Sequence, residues 1–494
     1  MSFWMLKTAM LKFLGKILLR IIVGIVIFIT LLITLPGIPP HTTFTPYSVP
    51  PPLPRTGSLA PNNVLDGGRR LFEGKVIGPE SVAVRGTNEI FVGVHDGTIQ
   101  KIYGEDFDQI VQVTQTGEKC EGPGKENVCG RPLGLRFAPN GRLLVADAYY
   151  GILSVDVDTG DKETLVGPNE PIDGKVWRLP NDLDIDNEGN IYWSDSSTVA
   201  DFCNLLLAAI SDPTGRLIKY NPVTKTNTVL LTDIHLANGV QLSPNQDYVL
   251  LSETVRSQVH RYWLKGPKSG QSEIFIDRLP GGVDNIRPRP CGGYYISLFD
   301  TRHADNPEEY EQVEFLNKHS IIRKFIGRLF ACTQLFFDSM HILFPLQVFE
   351  KASYYIFNIA PVIEMKNDSV AIIIEVNEDG NIIGSLQGSK GIIKTISETV
   401  HVGENIFFGS PFNSYIGHLH VGPTNCDTEG VIKNGSKENK EDEEKTQNSV
   451  YHKILNLNIG GLRLPNDHNL AQRASQLPAN DFRTQDSAAA DGIS

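Results

Sequence analysis

The chain has 494 residues, 40% hydrophobic and 21% charged, with 57 acidic side chains against 45 basic ones and a formal net charge of -12. This is globular composition, which excludes wholesale disorder, and the acidic balance lacks the positive field that neutralises phosphates, so nucleic acid is excluded as a partner. Six cysteines without a CxxC pair exclude a disulfide scaffold, a zinc ribbon and a thioredoxin-like site.

Residues 1–16 are a short basic segment, and from Ile17 to Leu35 the sequence ILLRIIVGIVIFITLLITL carries one charge, Arg20. At 1.5 Å per residue this stretch reaches about 28 Å, enough to cross a hydrocarbon core of roughly 30 Å. Lys7, Lys12 and Lys16 stand ahead of it and Arg20 near its start, with no acidic residue. A single-pass type II anchor is therefore expected, with a cytoplasmic N-terminus and a luminal or extracellular body, at the plasma membrane or the endoplasmic reticulum. The alternative, a cleaved signal peptide, needs a shorter apolar core and a small-residue cleavage site, and no AxA-like site precedes Pro36. Residues 36–61, dense in proline, read as an extended stalk.

Between Leu71 and Val421 one unit recurs: an alternating apolar strand, a Gly or Asn turn, and a second strand rich in Val, Ile, Leu and Tyr. It begins at Ser81, Gly134, Asp182, Gly239, Asn285 and Thr399, and a third strand follows most units. The spacing, close to 50 residues over the first five, is that of a β-propeller blade. The predicted fold is all-β: a six-bladed β-propeller over residues 62–421 with an N-terminal transmembrane helix. The segment Asn62–Lys75 is placed as the strand that closes the last blade. Residues 303–366, apolar and aromatic with Arg and Lys interspersed, predict a helical insertion between blades five and six, a lid that contacts lipid or glycan or an insertion packed on the blades. Residues 422–494 are polar and read as a disordered tail.

Equivalent positions of a propeller converge on its axis. Two residues before the first apolar residue of each innermost strand stand Glu80, Leu133, Asn181, Asn238 and Asp284, with Asn285 next to the last. Two carboxylates and several amide carbonyls around one point suit Ca²⁺, which takes six to eight hard oxygen ligands, and the absence of His and Cys disfavours zinc. In the sixth unit, counting by strand alternation selects Glu398 and counting back from the turn selects Ser397; Glu398 would be a general base if desolvation raised its pKa.

The motifs CGRPLGLRFAPNGRLLVADAYYGILSVD, RLPNDLDIDNEGNIYWSDSST, LANGVQLSP and DNIRP resemble the strictosidine synthase-like family, in particular its adipocyte plasma membrane-associated and hemomucin branch. More distantly the chain is similar to the six-bladed gluconolactonases and paraoxonases. The resemblance implies calcium on Glu80, Asn181, Asn238, Asp284 and Asn285, and an activity of the arylesterase or lactonase type on a small ester or lactone substrate. A non-catalytic cell-surface binding glycoprotein with structural calcium is the alternative, followed by the amine-aldehyde condensation of the strictosidine synthases. A second calcium, as in paraoxonases, would need an acidic residue where Ser81 stands, although Asp182 is retained.

Cys120 and Cys129 flank a loop containing Gly122, Pro123 and Gly124, which lets the chain turn back and bring the thiols within bridging distance. A luminal body supplies the oxidising compartment, and the family resemblance implies the same bridge. Cys203, Cys291, Cys332 and Cys426 have no comparably near partner and are expected as buried or free thiols. Asn367 and Asn434 lie in sequons that accept glycan only on a luminal body.

Overall fold

The computed structural model describes residues 3–120, 124–168, 170–302, 307–366 and 370–423. The sequons at Asn367 and Asn434, Cys426 and the predicted tail beyond residue 423 lie outside them.

Helix α1 (Phe3–Thr34) contains the stretch Met10–Thr34, whose mean hydropathy of 2.9 and length suffice to cross a membrane. Its side chains are almost all exposed, as expected for a helix that does not pack into the protein core. The Pro-rich segment that follows lies along the body. Val49 is buried, the Thr45 amide donates to Asp212 Oδ1 at 2.6 Å, and the Leu53 amide donates to the Arg278 carbonyl at 2.8 Å.

Six four-stranded antiparallel sheets make up the body among the described residues. Their innermost strands are Val82–Arg85, Pro132–Phe137, Pro180–Ile185, Ala237–Leu242, Val283–Pro288 and Glu398–Val402. Each inner strand lies against the next, and the sixth returns to the first, so the sheets form a closed, propeller-like ring. Alternation along the strands gives each sheet two apolar faces, and a separate buried cluster fills each of the six gaps. Phe91 meets Leu135, Leu144 meets Trp193, Tyr192 meets Val249, Leu250 meets Ile286, Ile373 meets Ile406, and Phe407 meets Val82. Truncating one of these large side chains, Trp193→Ala for example, is expected to cost about 3–5 kcal/mol.

The ring is closed by the chain's own N-terminal part. Arg69–Leu71 is the outermost strand of the sixth sheet, antiparallel to Ile416–His420 with Arg69 opposite His418. First and last segments thus hold each other and close the ring.

Two short helices interrupt the loops, α2 (Glu126–Cys129) and α3 (Leu205–Ile210), and four more follow: α4 (Pro307–Lys318), α5 (Ser320–Leu343), α6 (Gln347–Ile356) and α7 (Ala360–Lys366). The last four correct the expected position of the insertion. They lie inside the fifth sheet, between its second strand Tyr294–Leu298 and its third strand Ala371–Val376, which pair directly with Ile296 opposite Ile374. The strand, turn, strand pattern after Ala371 completes the fifth sheet instead of opening a new one. A hairpin connection between these strands tolerates the long excursion because both ends stay paired.

Candidate functional site

The candidate residues sit where the inner strands begin, and the local register explains how they leave the sheet. In the second to fifth inner strands the pairing shifts by one residue, between Pro132 and Leu135, Pro180 and Leu183, Ala237 and Val240, and Val283 and Ile286. Such a bulge frees side chains from strict alternation, and it falls on Asn181, Asn238 and the pair Asp284–Asn285. Glu80 stands just ahead of the first inner strand. The sixth inner strand carries no shift, and Glu398 pairs in regular register with Gly409.

Close approach of neighbouring strands holds the set together. A Cβ at Gly239 would lie 2.6 Å from the Asp284 carbonyl oxygen, and one at Gly409 would lie 2.2 Å from that of Glu80. Ser397 serves as a clasp: its hydroxyl donates to the Glu80 carbonyl at 2.7 Å, and its own carbonyl accepts the Asn285 amide at 2.9 Å. Asn285 Nδ2 donates to Glu80 Oε1 at 3.2 Å, and Asn238 Nδ2 donates to Thr254 Oγ1 at 3.3 Å.

Every one of these residues leaves a buried oxygen without a hydrogen-bond partner: Glu80 Oε2, Asn181 Oδ1, Asn238 Oδ1, Asp284 Oδ1, Asn285 Oδ1 and also Glu398 Oε2. A buried acceptor left unsatisfied costs about 1–3 kcal/mol, more if charged, so several at one place need a common partner. The carboxyls are strained electrostatically as well. Burial pushes Glu80 well above the ordinary carboxylate range, and Asp284, Asp182 and Glu398 push it further, against the pull of Arg131. Asp284 is likewise driven up, by burial first and then by Glu398. Among the described residues no ion pair reaches Glu80 or Asp284, and no group of three or more His, Cys, Asp or Glu is placed to hold a metal. A donor set of two carboxylates and three amides, all hard oxygens, fits Ca²⁺ and not a transition metal.

Behind these residues lies a second layer that the repeat comparison did not select. Arg287 Nη1 and Nη2 donate to Asp182 Oδ2 and Oδ1 at 2.9 and 3.0 Å, while its Nε donates to Glu398 Oε1. All three side chains are buried. Asp182 Oδ2 also accepts the Val240 amide at 2.8 Å, so both Asp182 oxygens are engaged within the protein. Burial raises the Glu398 carboxyl to about 7 against the pull of Arg287 and Arg136. Arg136 approaches Asp184 at 3.5 Å, and Asp184 Oδ2 accepts from Gln241 Nε2 and the Leu242 amide. A signal for this layer was present: three residues beyond the candidate positions stand Arg136, Asp184, Gln241 and Arg287, a polar ring at core positions.

A cavity of about 320 Å³ lies on the face where the inner strands begin, lined by Ile77, Arg131, Phe202, Phe299, Tyr354 and Phe412 among others. Helices α6 and α7 contribute to its wall through Tyr354, Ala360 and Ile363. Arg131, buried at its floor, donates from Nη1 to the Gly78 carbonyl at 2.8 Å, two residues from Glu80, and lies over the Phe202 ring. Cys120 and Cys129 form a disulfide with Cα atoms 5.4 Å apart, and the loop they close places Glu126 in the cavity wall. Cys203 and Cys332 are free. Cys291 corrects the sequence expectation: it is disulfide-bonded, to a partner outside the described residues. Sequence spacing could not show this pairing, because a bridge to a distant cysteine leaves no local signature.

The sequence profile described as Strictosidine synthase matches residues 181–267, and that described as Strictosidine synthase-like, N-terminal matches residues 57–102. The chain is 35% identical to the adipocyte plasma membrane-associated protein Hemomucin of Drosophila melanogaster over 78% of this chain and 66% of that one. It thus spans just under two thirds of that relative's length. It is 31% identical to the adipocyte plasma membrane-associated protein of Danio rerio over 75% of this chain and 79% of that one. Among solved structures it is similar to a gluconolactonase of Xanthomonas campestris, at 13% identity and a TM-score of 0.44, covering 78% of this chain and 99% of the other.

Proposed function

The chain belongs to the strictosidine synthase-like family of the adipocyte plasma membrane-associated proteins, and on that premise we propose that it is a membrane-tethered, calcium-dependent hydrolase of small esters or lactones. The reading places α1 across the membrane with the body luminal or extracellular, and the six sheets as the blades of a propeller. The observation that carries it is the set of orphaned buried oxygens on Glu80, Asn181, Asn238, Asp284 and Asn285. These residues would hold calcium, which when bound supplies a Lewis acid against which an ester carbonyl is polarised.

The protein's own part is positioning and proton transfer. Arg287 fixes one oxygen of Glu398 and leaves Oε2 without a partner. A carboxyl raised to about 7 is partly ionised at neutral pH and can accept a proton from an attacking water. The cavity beside Arg131 offers apolar and aromatic walls to the acyl or aryl part of the substrate.

One observation favours a second reading. The same Arg287 pairing would also suit a carboxylate that serves only to neutralise a buried cation, and the protein would then be a binding glycoprotein whose calcium is structural. Hydrolysis of phenyl acetate by the full-length protein separates the two. Activity abolished by a calcium chelator and restored by calcium supports the hydrolase; calcium binding without turnover supports the binding protein.

A further inference from the structure

Helix α5 is attached to the end of α1. Arg328 Nη1 donates to the carbonyls of Leu32, Ile33 and Leu35 at 2.9, 3.1 and 2.8 Å, groups that the last turn of α1 would otherwise leave unsatisfied. Arg328 therefore marks the level at which the chain leaves α1. Residues seven apart on a helix drift by only about 20°, so Ile321, Leu335 and Ile342 share the face of Arg328. They are 64%, 56% and 81% exposed. Phe336, Leu343, Phe344, Leu346 and Val348 continue the exposed apolar surface into the start of α6. On the adjoining flank of the helix Arg323, Gly327 and Ala331, spaced four apart, are buried, with Gly327 against Phe44 and Ile210.

We infer that α5 and the first residue pairs of α6 lie in the interface of the bilayer that α1 crosses, with Leu335, Phe336, Ile342, Leu343, Phe344, Leu346 and Val348 in contact with lipid acyl chains. The inference rests on the reading of α1 as a membrane span and gives that reading a second, in-plane element. Three features select lipid as the occupant. The face is continuous with the end of α1, it is too apolar and too exposed for water, and α5 has no acidic residue before Asp338, its Arg323 being buried in the body and its Arg328 held by the end of α1. That single acidic side chain accepts from Ser353 Oγ of α6. An exposed apolar stripe on a helix with a single acidic residue suits the interface of a bilayer. Because α6 and α7 also wall the cavity, this arrangement would set the cavity close to the membrane surface.

The test uses the full-length protein in phosphatidylcholine–phosphatidylserine vesicles that contain a phosphatidylcholine with a diazirine-bearing acyl chain, irradiated and mapped by mass spectrometry. Adducts are expected on α1 and within residues 335–348. In the double variant Leu335→Asp, Ile342→Asp, those within 335–348 should fall at least about tenfold while those on α1 persist. Adducts on α1 but not within 335–348 would overturn the interfacial placement and leave the span intact. Adducts within 335–348 but not on α1 would uphold lipid contact and remove the span. Adducts at neither place, or cross-links from 335–348 to a second copy of the chain, would overturn the inference.

Discussion

Arg287 grips Asp182 at two points, Nη1 to Oδ2 at 2.9 Å and Nη2 to Oδ1 at 3.0 Å, with both side chains sealed from solvent. A guanidinium matches a carboxylate in this forked geometry and a lysine ammonium does not. Arg287→Met would strip Asp182 and Glu398, both buried, of the counter-charge that is bonded to them. Breaking a buried pair in this way costs about 3–5 kcal/mol, and Arg287→Lys should recover only part of it. Chemical unfolding of the three proteins checks the order; equal stabilities would contradict the role given to Arg287.

The two carboxyls at the candidate metal site make stability depend on pH with a definite sign. In the calcium-free protein Glu80 and Asp284 hold their protons above the ordinary values of 4.5 and 3.8. The folded state then binds more protons than the unfolded one, so their contribution to stability falls as pH rises above those values. Calcium needs both groups ionised, and its stabilising effect should grow over the same interval. Melting curves from about pH 4.5 to about pH 7.5, with chelator and with calcium, should diverge as pH rises, and Glu80→Gln should reduce the divergence. Parallel curves would count against the site.

If Glu398 is the base, hydrolysis should rise with pH through about 7, the value to which burial raises its carboxyl. Glu398→Gln is expected to lower kcat by roughly 10²–10⁴-fold and to remove that limb of the pH profile. A variant that keeps the limb would assign the titration to another group.

The Cys120–Cys129 bridge closes a ring of ten residues, counted inclusively from a sequence separation of 9, which the loop-entropy relation values at no more than about 3 kcal/mol. Peptide mapping without reduction should recover Cys203 and Cys332 as thiols and Cys120, Cys129 and Cys291 in disulfides. Replacing both Cys120 and Cys129 by serine should lower stability by up to that amount. Free Cys120 and Cys129 in material from the secretory pathway would contradict the loop geometry.

Much of the fold could be read from the chain because its physics is local and repeated. The alternation in SVAVRGTNEIFVGV and its counterparts fixes which face of each strand is apolar, and the same register brings Glu80, Asn181, Asn238 and Asp284 to one end of the inner strands. The return of Arg69–Leu71 to the last sheet follows from the need to close a ring. What could not be read depends on pairings between distant segments. AIIIEV from Ala371 is an apolar strand far from any other unit in sequence, and only its pairing with Tyr294–Leu298 shows it to be the third strand of an interrupted sheet. Arg287 escaped a search for repeated residue types because its role is complementary: it answers Asp182 and Glu398 from other sheets. The bulges that aim the Asn and Asp side chains have no residue signature of their own.

Calcium titration of the full-length protein by isothermal calorimetry tests the central claim most directly, namely that the oxygens of Glu80, Asn181, Asn238, Asp284 and Asn285 hold one divalent cation. The account predicts a single tight site that Asp284→Asn weakens at least about tenfold, because one of the two carboxylate charges is removed. Absence of binding, or binding that Asp284→Asn and Glu80→Gln leave unchanged, would contradict it.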